Sequence, residues 1–182
     1  MNIVGISGSP SARSRSAWLL QLALTRLEAS ASSSTSLQLR DLPADALLSA
    51  DARHPLLHVA LQRVAQAQVV VVATPVYKAA YSGLLKVFFD LLPTDALAGK
   101  TVLPLATGGS AGHQLALDYT LRPLLAAVGA RHVLDSVFAT DAQLTPHESG
   151  GYVPGAELLA RLERALQPVR LQPLPEAGRC TA

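Results

Sequence analysis

Apolar residues fall into short β-branched runs separated by stretches in which they recur every three or four positions. Residues 2–7 form the first run. Residues 68–74 (Gln-Val-Val-Val-Val-Ala-Thr) form a run continuous enough to lie at the centre of a sheet with both faces buried. Residues 100–107 and 131–138 read as two more strands, and a weaker run at 36–40 reads as an edge strand because its flanks are polar. Between them the spacing predicts helices over 14–29, 55–67, 82–92, 111–128 and 154–166. Strands alternating with helices predict a parallel sheet covered on both faces. Right-handed crossovers then favour a doubly wound α/β sheet of strand order 2-1-3-4-5. In that arrangement a ligand sits beyond the carboxyl ends of the strands, so the loops after the first, third and fourth strands should carry the chemistry.

All three loops are chemically rich. Gly5-Ile6-Ser7-Gly8-Ser9-Pro10-Ser11-Ala12-Arg13-Ser14-Arg15-Ser16 leads from the first strand into an amphipathic helix. The first N–H groups of that helix lack intrahelical partners and its dipole favours negative charge there. Ser9, Ser14 and Ser16 add hydroxyl donors, and Arg13 or Arg15 adds charge. The spacing matches neither the dinucleotide fingerprint nor a Walker loop, so a monophosphate is the better match. A Ser-rich capped turn that binds nothing is the alternative. After the third strand, Pro75 forces an extended turn that presents Tyr77. After the fourth, Thr107-Gly108-Gly109-Ser110 lets the backbone approach a flat ligand and offers amide donors. A planar ring with a phosphorylated tail suits these three loops, and flavin mononucleotide (FMN) is such a molecule.

Composition narrows the class. The chain has 182 residues, about half of them hydrophobic, enough for one well-filled domain. Its formal net charge of +2 comes from scattered basic residues, which excludes a nucleic-acid footprint and points to a small-molecule target. The single cysteine, Cys180, allows no internal disulfide. The N-terminal apolar run is too short for a membrane span and lacks a basic flank, so the sequence predicts a cytoplasmic protein without a membrane anchor. Residues 1–168 read as a single domain, followed by a loosely ordered, Pro-rich tail over 169–182.

Gly8-Ser9-Pro10 with Ser14-Arg15-Ser16, the run from Thr74 through Tyr77 and Tyr81 to Lys86, Leu103-Pro104-Leu105-Ala106-Thr107-Gly108-Gly109-Ser110, and Ala116 to Pro123 together resemble the NADPH-dependent FMN reductases of the flavodoxin-like superfamily. The resemblance is nearest to the two-component reductases that supply reduced flavin to alkanesulfonate monooxygenases in sulfur acquisition, and it extends over most of residues 1–145. It implies that Ser9, Arg13, Ser14, Arg15 and Ser16 hold the FMN phosphate. It also implies that Pro75, Val76 and Tyr77 line the ring and ribityl chain, with Thr107, Gly108, Gly109 and Ser110 along the other edge. The implied chemistry is hydride transfer from NADPH between stacked rings, which requires no side-chain acid or base. The Gly108 and Gly109 amides are candidates to stabilise the negative charge that develops on the ring. The implied partner is a flavin-dependent alkanesulfonate monooxygenase, and the implied assembly is a homo-oligomer, dimer or tetramer.

Other features carry two readings each. His54 and His58 share a helix face, but no third ligand with suitable spacing accompanies them, and Pro55 marks a plain helix start; no metal site is predicted. His113 either approaches the ligand or starts a helix, and Lys78 and Tyr81 either guard the ring or cover a subunit contact. The apolar helix over 82–92 serves either a partner helix or ordinary core packing. Tyr119 lies four residues before Pro123, which removes a backbone donor from the helix over 111–128. That predicts an irregular ladder, either a π-bulge or a proline kink around a buried tyrosine. The resemblance implies a bulge at this tyrosine, at a subunit interface near the flavin, with a part in flavin release. Two other functions remain on the same fold: a quinone, azo-dye or chromate reductase with fixed FMN, and a flavodoxin-type electron carrier. The slightly basic charge disfavours the carrier.

Overall fold

The computed structural model describes residues 1–171. Its central sheet is built from β1 (Asn2–Ser7), β2 (Ser33–Gln38), β3 (Val69–Tyr77), β5 (Thr101–Gly108) and a last strand in two pieces, β6 (His132–Val133) and β7 (Val137–Thr140). All pair in parallel, in the order β2-β1-β3-β5 with both β6 and β7 on β5. This is the 2-1-3-4-5 order of a flavodoxin-like fold. A short antiparallel strand, β4 (Ala80–Tyr81), folds back on the end of β3.

The helices are α1 (Arg15–Leu27), α2 (Ala44–Leu48), α3 (Pro55–Gln66), α4 (Gly83–Phe89), α5 (Arg122–Ala127) and α6 (Ala156–Arg170). Side chains of β3 alternate between two apolar layers, as the period of a strand requires. Val70 and Val72 join Leu57, Phe88 and Leu125 under α3, α4 and α5. Val69, Val71 and Ala73 join Leu20, Leu103 and Leu162 under α1 and α6. Local chemistry starts the helices where they begin. Ser14 caps α1 by accepting from the Ala17 amide, His54 caps α3 from the Leu56 amide with Pro55 at its first position, and Ser82 caps α4 from the Leu85 amide. Lys100 donates to the Ala65 and Ala67 carbonyls at the end of α3, and partial burial lowers its pKa below the usual lysine value.

The structure corrects several boundaries. The edge strand lies at Ser33–Gln38, three residues earlier than its apolar content suggests, because it registers Ser33 against Asn2 and Gln38 against Ser7. Backbone pairing and the Ser33 to Asn2 side-chain bond hold a polar run that propensity alone would leave as loop. The last strand breaks at the polar Asp135-Ser136, where the Arg122 guanidinium binds the Leu134 carbonyl and the Ser136 hydroxyl. The segment after the third strand is a hairpin rather than a loop: β3 runs through Pro75 to Tyr77 and turns at Lys78 and Ala79, both left-handed (φ 50° and 63°). The stretch over 111–128 is three pieces, a 3₁₀ turn at Ala111–Gln114, a π-helical turn at Leu117–Leu121, and α5. A second hairpin, β8 (Leu144–Pro146) with β9 (Tyr152–Pro154), precedes α6. α6 continues through Pro168 to Arg170 with Val169 buried, so the boundary expected at 168 falls inside a helix. Residues 172–182, with Cys180 and most of the expected tail, lie outside the described residues.

Leu20 is fully buried between α1 and the sheet, whereas Leu48 is 76% exposed. Chemical denaturation of Leu20→Ala should therefore show a loss of about 2–5 kcal/mol. Leu48→Ala should stay within about 0.5 kcal/mol of the parent.

Candidate active site at the carboxyl end of the sheet

β1 ends at Ser7, and the chain crosses to α1 through a loop fastened on three sides. The Gly8 amide donates to the Ala73 carbonyl of β3 (2.8 Å), the Ser82 hydroxyl at the start of α4 donates to the Gly8 carbonyl, and Arg40 donates to the Ser11 carbonyl (3.2 Å). Within the loop the Ser9 hydroxyl accepts from the Ser11 amide, and the Ser11 hydroxyl donates to the Arg13 carbonyl. The first backbone bond of α1 runs from Trp18 to Ser14, and the Ser14 hydroxyl takes the Ala17 amide. The amides of Arg13, Ser14, Arg15 and Ser16 have no hydrogen-bond partner among the described residues. They are the orphan donors of a helix start, held in a fixed loop.

Arg13, Ser14 and Arg15, three of the four residues that carry these donors, line a cleft of about 250 Å³. One end is lined by Ser9, Arg13, Ser14 and Arg15, and the other by Pro75, Val76 and Tyr77 from β3 with Thr107, Gly108 and Gly109 at the end of β5. Two of the residues expected here lie elsewhere. Ser16 is fully buried and hydrogen-bonds the Ser14 hydroxyl (3.0 Å), so it braces the loop from beneath. Ser110 stands beyond the cleft at the start of the 3₁₀ turn. Ser11 and Asp141 line the cleft without having been singled out in the sequence. Ser11 belongs to the same Ser-rich run, and Asp141 is signalled only by its place directly after the last strand.

The two arginines differ. Arg15 is occupied: its guanidinium lies 3.5 Å from Asp141, donates through Nε to the Leu144 carbonyl, and sits 5.2 Å above the Tyr152 ring. It ties the segment after β7 to the start of α1. Arg13 is exposed and has no ion pair among the described residues, which leaves its charge free for a ligand. At the other end, His113 packs over Gly108, where a Cβ would lie 2.9 Å from its Nδ1. Only glycine permits that approach, and the following Gly109 amide has no hydrogen-bond partner among the described residues. His54 and His58 are remote from the cleft, as helix cap and Gln62 partner respectively. The arrangement can grip an anion at one end and support a flat group at the other, between backbone donors and a tyrosine.

Tyr119 occupies the middle of the π-helical turn. Leu117 and Leu121 on either side are buried, Tyr119 is 76% exposed, and the Arg122 amide donates to the Leu117 carbonyl. The extra residue keeps both leucines in the core while Tyr119 turns outward. The turn packs beside β4, and therefore beside the hairpin that presents Tyr77.

Comparison with known proteins places this geometry. Residues 1–145 match the family model of NADPH-dependent FMN reductases. The chain is 47% identical to an FMN reductase (NADPH) of Pseudomonas putida over 91% of its own length and 83% of that protein, and 43% identical to an FMN reductase (NADPH) of Escherichia coli over 92% and 87%. It also superposes on the crystal structure of an apo NADH:FMN oxidoreductase with a TM-score of 0.86 at 42% identity, covering 97% of this chain and 91% of that one. The chain therefore belongs to the NADPH-dependent FMN reductase family, and it is an oxidoreductase that takes FMN and NADPH.

Proposed function

We propose that the protein reduces FMN as a diffusible substrate and hands the reduced flavin to a separate flavin-dependent monooxygenase, of the kind that cleaves alkanesulfonates, while working as a homo-oligomer. The observation that carries the reading is the row of amides from Arg13 to Ser16 beside the Arg13 guanidinium, which have no hydrogen-bond or ion-pair partner among the described residues. These groups fit a terminal phosphate monoester. The bound ring supplies a two-electron acceptor for the hydride of NADPH, and water supplies the accompanying proton. Pro75, Val76 and Tyr77 form the shelf for the ring and ribityl chain. In this reading the Gly108 and Gly109 backbone, at the end of β5 and lining the cleft, supplies amide donors to the ring edge where negative charge develops. No side chain need act as acid or base, because alignment of two rings is the main requirement. Tyr77 is 49% exposed at the mouth of the cleft, which suits a flavin that enters and leaves.

The exposed Tyr119, with exposed Leu115 four residues before it, forms an apolar surface beside the Tyr77 hairpin. In this reading that surface meets another subunit and couples assembly to flavin release.

Arg13→Ala should raise the dissociation constant of FMN about tenfold, the loss of one charge-assisted hydrogen bond. Riboflavin, which has no phosphate, should bind as before; equal weakening for both flavins in fluorescence titrations would remove the phosphate assignment. The purified parent should be nearly colourless and convert many equivalents of free FMN. Deleting Tyr119 should close the π turn, change the oligomeric mass and leave FMN bound through gel filtration. A parent with stoichiometric, non-exchanging FMN would contradict release of reduced flavin. A deletion variant that stays colourless with unchanged mass and turnover would contradict the role of Tyr119.

A further inference from the structure

Asp141 directly follows β7 and is the one carboxylate among the described residues that line the flavin cleft; the other charges there belong to Arg13 and Arg15. A carboxylate repels an anion, so its place beside Arg15, in a cleft read as holding a phosphate, calls for a reason. Resting on the assignment of the FMN phosphate to the start of α1, we infer that Asp141 sets the affinity for FMN: it shares the charge of Arg15, opposes the phosphate, and so keeps the flavin exchangeable.

The position of Asp141 is secured by groups other than its own side chain. Thr140 pairs with Gly108 at the end of β5, the Thr140 amide donates to Gln143 Oε1 (3.1 Å), and Arg161 donates to the same oxygen (3.1 Å). These bonds hold the 3₁₀ turn at Asp141–Gln143, and the half-exposed Asp141 carboxylate takes no part in them. Arg15 is located independently as well, by the Leu144 carbonyl at its Nε and by the Tyr152 ring beneath its guanidinium. Arg15 Nη1 and Asp141 Oδ1 then stand 3.5 Å apart, a charge contact beyond the usual length of a hydrogen bond.

Because Leu144 and Tyr152 place Arg15, Asp141 is not required to position it, and the pair acts through charge. A phosphate dianion that enters the cleft meets a guanidinium already half-neutralised and a carboxylate held beside it. The amides at the start of α1 and the Arg13 guanidinium supply the binding, and Asp141 subtracts from it. A site that retains its flavin would gain from a neutral residue at 141. A site that gives up its flavin at each turnover gains from the charge. Riboflavin has no phosphate and should be indifferent to Asp141.

Asp141→Asn keeps the size of the side chain while removing its charge, and exposed ion pairs of this kind contribute little to folding. Fluorescence titrations of the full chain should show FMN bound about five- to tenfold more tightly by the variant than by the parent, with riboflavin unchanged within about twofold. In about 0.5 M salt the gain for FMN should fall by at least half, as for opposed charges near solvent. FMN affinity that is unchanged or weaker in the variant, a gain shared equally by riboflavin, or a gain insensitive to salt would overturn the inference. Asp141→Ser takes the place of the variant if Asp141→Asn does not fold, and failure of both to fold would overturn the inference by making Asp141 a structural residue. The same titrations of Arg13→Ala separate the two assignments. If that substitution weakens FMN alone, the phosphate site stands and only the role of Asp141 is decided by its own variants; if it weakens both flavins equally, the phosphate assignment itself falls.

Discussion

The first turn of α1 carries backbone N–H groups that no helix can satisfy from within, and the placement of those groups organises the rest of the site. They lie at the carboxyl end of β1, next to β3, where the strand order reverses. A free helix start would fray and solvate its amides. Here Ser14 caps the turn, Gly8 is pinned to β3 and α4, and Arg40 holds the Ser11 carbonyl, so the donors keep their direction. Preorganised donors bind an anion without reordering the chain, which is the physical basis of a phosphate site in an otherwise hydroxyl-rich loop.

From that anchor the remaining parts acquire roles by distance along the sheet. β3 and β5 end one register step apart, with Pro75 opposite Thr107, so Tyr77 and Gly108-Gly109 lie beyond paired strand ends. The left-handed Lys78-Ala79 turn places two non-glycine residues in a costly conformation, about 1 kcal/mol or more each. That cost is borne where the hairpin must fold back sharply to meet the π turn around Tyr119. Irregular backbone is thus concentrated around the ring end of the cleft, while the phosphate end is rigidly bonded.

Much of this was legible in the sequence, and for identifiable reasons. The Val69–Val72 run cannot be other than a central strand, and the Gly-Ser-Pro to Ser-Arg-Ser loop carries its chemistry in consecutive residues. Pro123, four residues after Tyr119, signals an irregular helix but leaves both a π turn and a kink around a buried tyrosine open, and only the structure, with Tyr119 exposed in a π turn, separates them. What escaped depends on partners far apart in the chain. Arg15 reads as a phosphate ligand, yet its Nε bonds a carbonyl 129 residues away and its charge is shared with Asp141. Ser16 reads as a donor, but helical geometry turns it under the loop. The β8–β9 hairpin has its signal in the Ser149-Gly150-Gly151 turn between two short runs, too weak to stand out without the aromatic pair of Trp18 and Tyr152 that fixes it.

The central claim is that the start of α1 holds the phosphate of FMN through its own amides. Amide chemical shifts of the ¹⁵N-labelled protein, titrated with FMN and separately with riboflavin, address it directly. The account predicts that the amides of Arg13, Ser14, Arg15 and Ser16 show the largest shifts with FMN and little change with riboflavin, while Gly109 responds to both. Equal shifts of the α1 amides with the two flavins, or large FMN shifts confined to another part of the chain, would contradict it.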